Sequence, residues 1–155
     1  LVSKTNNIKQ YNEDKVIIEI DKNKLNKIDK DFNYAAFIEG AKAAFNLVVS
    51  SYKMNKLEDV KGLLSPAVYS AFKNSMNGDT NNDTPENTFE ITALKASIID
   101  IEIIKKLARI KVEFLSKQTY KNNYKEKSEI KDIWTFEKEI SNQNPNWLLI
   151  EVSSE

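Results

Sequence analysis

The sequence predicts an α+β domain, with N-terminal helices packed on one face of a curved, four-stranded antiparallel sheet. Three observations carry this reading. Apolar residues between Tyr34 and Met76 recur at three- and four-residue intervals, the period of a helix with one buried face. After a polar stretch at 78–88 the period changes to alternation, as in strands. Within the first alternating run the parity slips by one residue. Leu94, Ala96 and Ile98 share one parity, and Ile99, Ile101 and Ile103 share the other. A slip of that kind inside a long strand reads as a β-bulge, which bends the sheet.

Taken in order, residues 1–31 are rich in Lys, Asn and Asp and carry one apolar patch at Val16, Ile17, Ile18 and Ile20. They read as a polar linker that docks in part, and 32–155 as the folded domain. Tyr34, Phe37, Ile38, Ala41, Phe45, Val48, Val49 and Tyr52 form the stripe of the first helix, with Asp31 or Asn33 available as its cap. Gly40, Ala41, Ala43 and Ala44 are small enough to admit close approach of another element. Asn55 and Glu58 have the spacing of a capping box for a short second helix that buries Leu57, Val60, Leu63 and Leu64. Ser65-Pro66 is a restart signal, an N-cap followed by proline in the first helical position. The third helix then turns Val68, Tyr69, Phe72 and Met76 inward and stops near Gly78. After the first strand, Ala108, Ile110, Val112 and Phe114 define a second, with Arg109, Lys111 and Glu113 outward. Ile130, Trp134 and Phe136 mark a third. Asn144-Pro145-Asn146 is a turn. Trp147–Val152 is apolar on both faces, which predicts a central strand.

Composition excludes more than it assigns. The 155 residues contain 23 basic and 23 acidic side chains, with no histidine and no cysteine. A Ser-His-Asp triad, a cysteine nucleophile, a disulfide and a zinc finger are therefore all impossible within this chain. A metal site built from these side chains would have oxygen ligands only, and no cofactor is expected. No apolar stretch reaches the ~20 residues of a membrane span. The chain starts at Leu1 rather than Met, which reads as a fragment whose membrane anchor lies upstream.

The order of motifs resembles one family. Phe37-Ile38-Glu39-Gly40-Ala41-Lys42-Ala43-Ala44-Phe45 and Leu63-Leu64-Ser65-Pro66-Ala67-Val68-Tyr69-Ser70-Ala71-Phe72 are similar to the helical half of the Tim-forty-four-like domain. Phe114-Leu115-Ser116-Lys117-Gln118, Asp132-Ile133-Trp134-Thr135-Phe136-Glu137 and Asn144-Pro145-Asn146-Trp147-Leu148-Leu149 resemble its sheet motifs. The resemblance covers roughly 32–152. Lys138 departs from the Arg usual in the family, and the segment Asn122–Lys127 is shorter than in many relatives. The resemblance implies a cystatin or nuclear-transport-factor-two-like roll. It also implies a peripheral inner-membrane adaptor that contacts cardiolipin-containing membrane and docks a chaperone or translocation component. For a bacterial relative the implied location is the cytoplasmic side of the inner membrane; the alternative is the matrix face of the mitochondrial inner membrane.

Several groups of residues are candidates for that work. Residues 105–131 carry a net charge of plus six and 132–155 one of minus four. Lys105, Lys106, Arg109, Lys111, Lys117, Lys121 and Lys125 are candidate contacts to an anionic phospholipid membrane, at ~1 kcal/mol per Lys near the surface. The same charges would also keep a soluble hairpin from pairing edge to edge. Phe37, Phe45, Tyr69, Phe72, Phe114, Trp134 and Trp147 either line an apolar pocket or form an ordinary core. Asp132 is the one carboxylate on inward parity; Asp100, Glu102, Glu113, Glu137 and Glu139 fall at outward or turn positions. Rolls of this type also host isomerases and dehydratases that use a tyrosine and a buried carboxylate, but fold alone does not assign activity. The expectation is a non-enzymatic adaptor, the alternative a ligand-binding or enzymatic pocket. With Arg109 the only arginine, bidentate base readout is poorly supplied, and no nucleic-acid partner is expected.

Overall fold

The computed structural model describes residues 25–26, 29–76, 89–120, 128–140 and 146–154. The Val16–Ile20 patch, the polar stretch 78–88, Lys121, Lys125, the Asn122–Lys127 segment and the Asn144-Pro145 step lie outside them. The elements bounded within the described residues are three helices followed by four strands: α1 (Tyr34–Lys53), a 3-10 helix (Leu57–Leu63), α2 (Pro66–Met76), β1 (Phe89–Ile104), β2 (Leu107–Tyr120), β3 (Ile130–Glu139) and β4 (Leu148–Ser154). The strands pair antiparallel in the order β1-β2-β3-β4, so the architecture is the α+β layout that the sequence predicts.

Asn33, rather than Asp31, caps α1: its Oδ1 accepts from the Ala36 amide at 2.9 Å. Phe32, one residue outside the cap, sets its ring 5.9 Å from that of Phe37 in the first turn. This is a hydrophobic staple, which fixes the angle at which the chain enters the helix. The far end closes differently from expectation. Asn55 has φ 62, its amide donates to the Tyr52 carbonyl at 3.2 Å, and the Lys56 amide donates to the Ser51 carbonyl at 2.7 Å. These two bonds around a left-handed residue are a Schellman motif. Asn55 therefore ends α1 and does not open a capping box, and the next helix is a 3-10 turn with no side-chain cap. Ser65 behaves as the sequence predicts. Its Oγ accepts from the Val68 amide at 3.2 Å, with Pro66 leading α2.

The bulge expected at Ile98/Ile99 is present: Ile98 pairs with Val112 and Asp100 with Lys111, leaving Ile99 as the extra residue. A second bulge, not expected, falls at Thr92 between the pairs Ile91–Gln118 and Ala93–Lys117. Between them the two slips keep Phe89, then Ala96 and Ile98, then Ile101 buried on one face of a bent strand. On β2, Ala108, Ile110, Val112 and Phe114 are completely buried, and Ser116 almost so.

β4 is not central. It is an edge strand, and its apolar outer rim has a local cause: the Ser65 amide donates to the Leu149 carbonyl at 2.9 Å, and Leu64 forms one parallel bridge with Leu149. The chain entering α2 thus covers the edge that would otherwise invite another strand.

The core is held by aromatic packing between α1 and the sheet. Phe45 stacks on Phe114 at 4.4 Å between ring centroids and lies 4.8 Å from Trp134. Leu25, upstream of the predicted boundary at 32, is 1% exposed within the same core, so the N-terminal segment docks at that point. Replacing Phe45 by Ala should cost about 3–5 kcal/mol in urea unfolding. Asn55→Ala should cost about 1 kcal/mol, because alanine lacks the short polar side chain whose local hydrogen bonding eases the left-handed conformation. Asn55→Gly should be neutral or stabilising in the same experiment.

Candidate functional site

The two ends of the α1–sheet interface open into separate concavities. At the end carrying the β1–β2 turn, a cavity of about 730 Å³ lies between the first half of α1 and the end of β3. Its apolar wall includes Phe32, Phe37, Leu63, Phe136, Ile140 and Trp147, and Asp29, Asp31, Asn33 and Lys138 supply polar atoms. At the opposite end, a cleft of about 480 Å³ is formed by the last turns of α1, by α2, and by the ends of β2, β3 and β4. Phe45, Phe114 and Trp134 are 0%, 0% and 3% exposed and fill the space between.

The seven candidate pocket aromatics are therefore divided. Phe37 and Trp147 line the turn-end cavity, with their rings 5.1 Å apart and nearly perpendicular. Phe72 and Trp134 line the far cleft. Phe45 and Phe114 are core. Tyr69 belongs to neither concavity: its hydroxyl donates to the Glu58 carboxylate, and the ammonium groups of Lys61 and Lys73 lie 4.8 and 5.9 Å from its ring centre. Phe32 and Ile140, which the sequence does not single out, line the turn-end cavity together with Gly40. Phe32 had a readable signal, its place just before an Asn cap and a Phe four residues into the helix. Gly40 belonged to the small-residue stripe expected to admit another element. Instead, a Cβ built at Gly40 meets nothing within 4 Å, and the open space is the cavity.

The basic candidates are also divided. Lys105 and Lys106 form the exposed two-residue turn between β1 and β2. Lys117 lies near the other end of β2, roughly 35 Å away at the rise of a strand. Arg109 faces outward between two acids, and Lys111 faces outward beside one. Arg109 Nε meets Glu137 Oε2 at 2.7 Å and is paired in register with Glu102; Lys111 is in register with Asp100. Among the described residues, the segment's positive charge stands at the turn and near Lys117, while the middle of β2 is neutralised across strands. Lys138 reaches the Glu139 carbonyl at 3.4 Å from the cavity wall.

The turn and the cavity are neighbours. The Ile140 amide donates to the Lys106 carbonyl at 2.8 Å, which ties the cavity wall to the lysine turn. Lys105 has φ 57, a left-handed conformation that favours glycine or asparagine.

Asp132 has the inward register expected of it, opposite Phe114, and lines the far cleft with Tyr52. The two do not bond to each other. Asp132 Oδ1 accepts from Ser154 Oγ at 2.6 Å, and the Tyr52 hydroxyl pairs with Ser75 Oγ. Among the described residues no group of three or more carboxylates is placed to hold a metal ion, and no helix is long and apolar enough to cross a membrane.

Because Gly40 is helical and its Cβ position is empty, Gly40→Ala should stabilise the domain by up to about 1 kcal/mol in thermal or urea unfolding. A loss of stability would show that the cavity wall is closed at that point.

No curated protein matches the chain in sequence. Among solved structures it is similar to a TraE protein in complex with 4-(1H-pyrrol-1-yl)pyridine-2-carboxylic acid, at 13% identity and a TM-score of 0.38, over 76% of this chain and 95% of that one. The family model of the Tim44-like domain matches residues 22–154, and so includes Leu25 as well as both halves of the fold. The chain belongs to the Tim44-like domain family, whose general role is the binding of proteins at membranes.

Proposed function

We propose that this domain is a non-enzymatic adaptor at the inner membrane of a bacterium, on the cytoplasmic side, holding a chaperone or translocation component there. The observation that carries the reading is the pairing of an apolar cavity with an exposed lysine turn at one end of the roll. The Lys105-Lys106 turn would rest on anionic lipid such as cardiolipin, while the cavity beside it receives an apolar segment of the partner. The conformation of Lys105 supports a role for its charge. A non-glycine residue in the left-handed region typically costs ~1–3 kcal/mol, which glycine would avoid. Against the enzymatic alternative, the inward carboxylate and the nearby tyrosine each bond to a serine instead of to one another.

Vesicle flotation tests the membrane half. Binding to cardiolipin-containing vesicles should fall with added salt, and Lys105→Glu with Lys106→Glu should weaken it by roughly 30-fold or more, at ~1 kcal/mol for each lysine removed. Lys117→Glu should leave it nearly unchanged. Binding indifferent to salt and to the double substitution would overturn this half. Gly40→Leu tests the other, since its side chain projects into the cavity from an open position. Affinity recovery of the full-length protein from its native membrane should then lose the partner that the unsubstituted protein retains. Recovery of the same proteins by both would overturn the cavity as the docking point.

A further inference from the structure

The helices cover the inner face of the sheet, and no described element covers the outer one. The outer charges have an order that the strand register makes visible. Along β1, starting from the end away from the lysine turn, they run Glu90 and Lys95, then Asp100 and Glu102. In the same direction along β2 they run Glu113, then Lys111 and Arg109, and along β3 Lys131, then Glu137 and Glu139. Between the row of Lys95, Leu115 and Lys131 and the row of Glu102, Arg109 and Glu137, the sign reverses on each of these strands about one line across the sheet. That line passes between the row Ser97, Glu113, Ile133 and the row Asp100, Lys111, Thr135. Two charges lie outside this span: Lys117 falls at the same distance from the line as the row of Ile104, Leu107 and Glu139, whose one charge is acidic, and Glu90, in register with Thr119, falls at the distance of the lysine turn.

We infer that this face pairs with the same face of a second copy of the chain, about a two-fold axis lying along that line. The rotation sets each strand against its own counterpart, reversed end to end. Lys95 then faces Glu102 of the second copy, Lys111 faces Glu113, and Lys131 faces Glu137. Each contact occurs twice, as an isologous interface requires. An axis parallel to the strands, between β2 and β3, would instead oppose Asp100 to Glu151 of the second copy. Face-packed sheets lie ~10 Å apart with their strands within about 30° of each other, a gap that Lys and Glu side chains bridge. Leu115, in register with Lys95 and Lys131, and Ile133, in register with Glu113, supply apolar contact within the charged rows. The face is about 15 Å wide, from three strand spacings of ~4.8 Å, which places the interface at the small end of the specific range. Association should therefore be dilutable and sensitive to salt.

The test is sedimentation velocity of the full chain across a concentration series at low and high salt. A dimer that forms with concentration and dissociates in high salt is expected; a monomer under every condition would overturn the inference. Lys95→Glu alone and Glu102→Lys alone should each weaken self-association at least about tenfold, since like charges then meet twice. Mixed together, the two variants should form a heterodimer, because both opposed pairs are restored. Lys131→Glu and Glu137→Lys, on a different strand, provide the same exchange should a β1 substitution impair folding. Failure of both mixtures to associate, or undiminished association of the single variants, would overturn the proposed geometry.

Discussion

Phe45 stacked on Phe114 and tilted against Trp134 is the contact on which the rest of the domain depends. The three rings come from α1, β2 and β3, so one cluster sets the distance and angle of the long helix to the sheet. From Trp134 the ring contacts continue through Phe136 and Phe37 to Trp147 and Phe32. This run follows the first half of α1 to its N-terminal staple. Aromatic rings are large and stiff, and edge-to-face packing leaves angular gaps where the run meets solvent. The turn-end cavity is such a gap, and its wall and the core are one continuous structure.

The same cluster decides what the roll can hold. A deep cone open at one end would suit a buried reaction centre. Here the rings fill the middle and leave two shallow concavities, one aromatic and next to a basic turn, the other lined by hydroxyls, a carboxylate and part of the helix end. On the proposed reading, the cavity beside the basic turn is where a partner would be held at a membrane surface.

The two faces of the sheet obey different constraints. The inner face is set by packing, and two bulges in β1 keep its apolar residues inward over sixteen residues of bent strand. The outer face is set by charge, with Arg109 between Glu102 and Glu137 and Glu113 beside Lys131. Cross-strand pairs of this kind contribute modestly to stability, by about 0.2–1 kcal/mol each. They leave the middle of the described face nearly neutral.

Most elements were legible because they are local. A 3.6-residue stripe, Ser65-Pro66 and the parity slip at Ile98/Ile99 each depend on neighbours a few residues away, and the chain determines them by itself. Asn55 was misread because Asn serves both as an N-cap and as a left-handed C-terminal residue. Only the path of the chain after α1 selects between the two. β4 was misread because an apolar run is the same whether a strand or a chain segment covers it, and here Leu64 and Ser65 do. The aromatic set was legible as buried but not as divided, since ring spacing in sequence carries no information about which ring closes a gap and which borders one. Composition alone removed histidine and cysteine chemistry, and the order of motifs determined the family. Tertiary structure decided where the cavity opens, that Lys105-Lys106 lies beside it, and that the outer charges of β1, β2 and β3 reverse sign about one line in the middle of the face. These depend on strand register and helix placement, which long-range packing sets and no local pattern encodes.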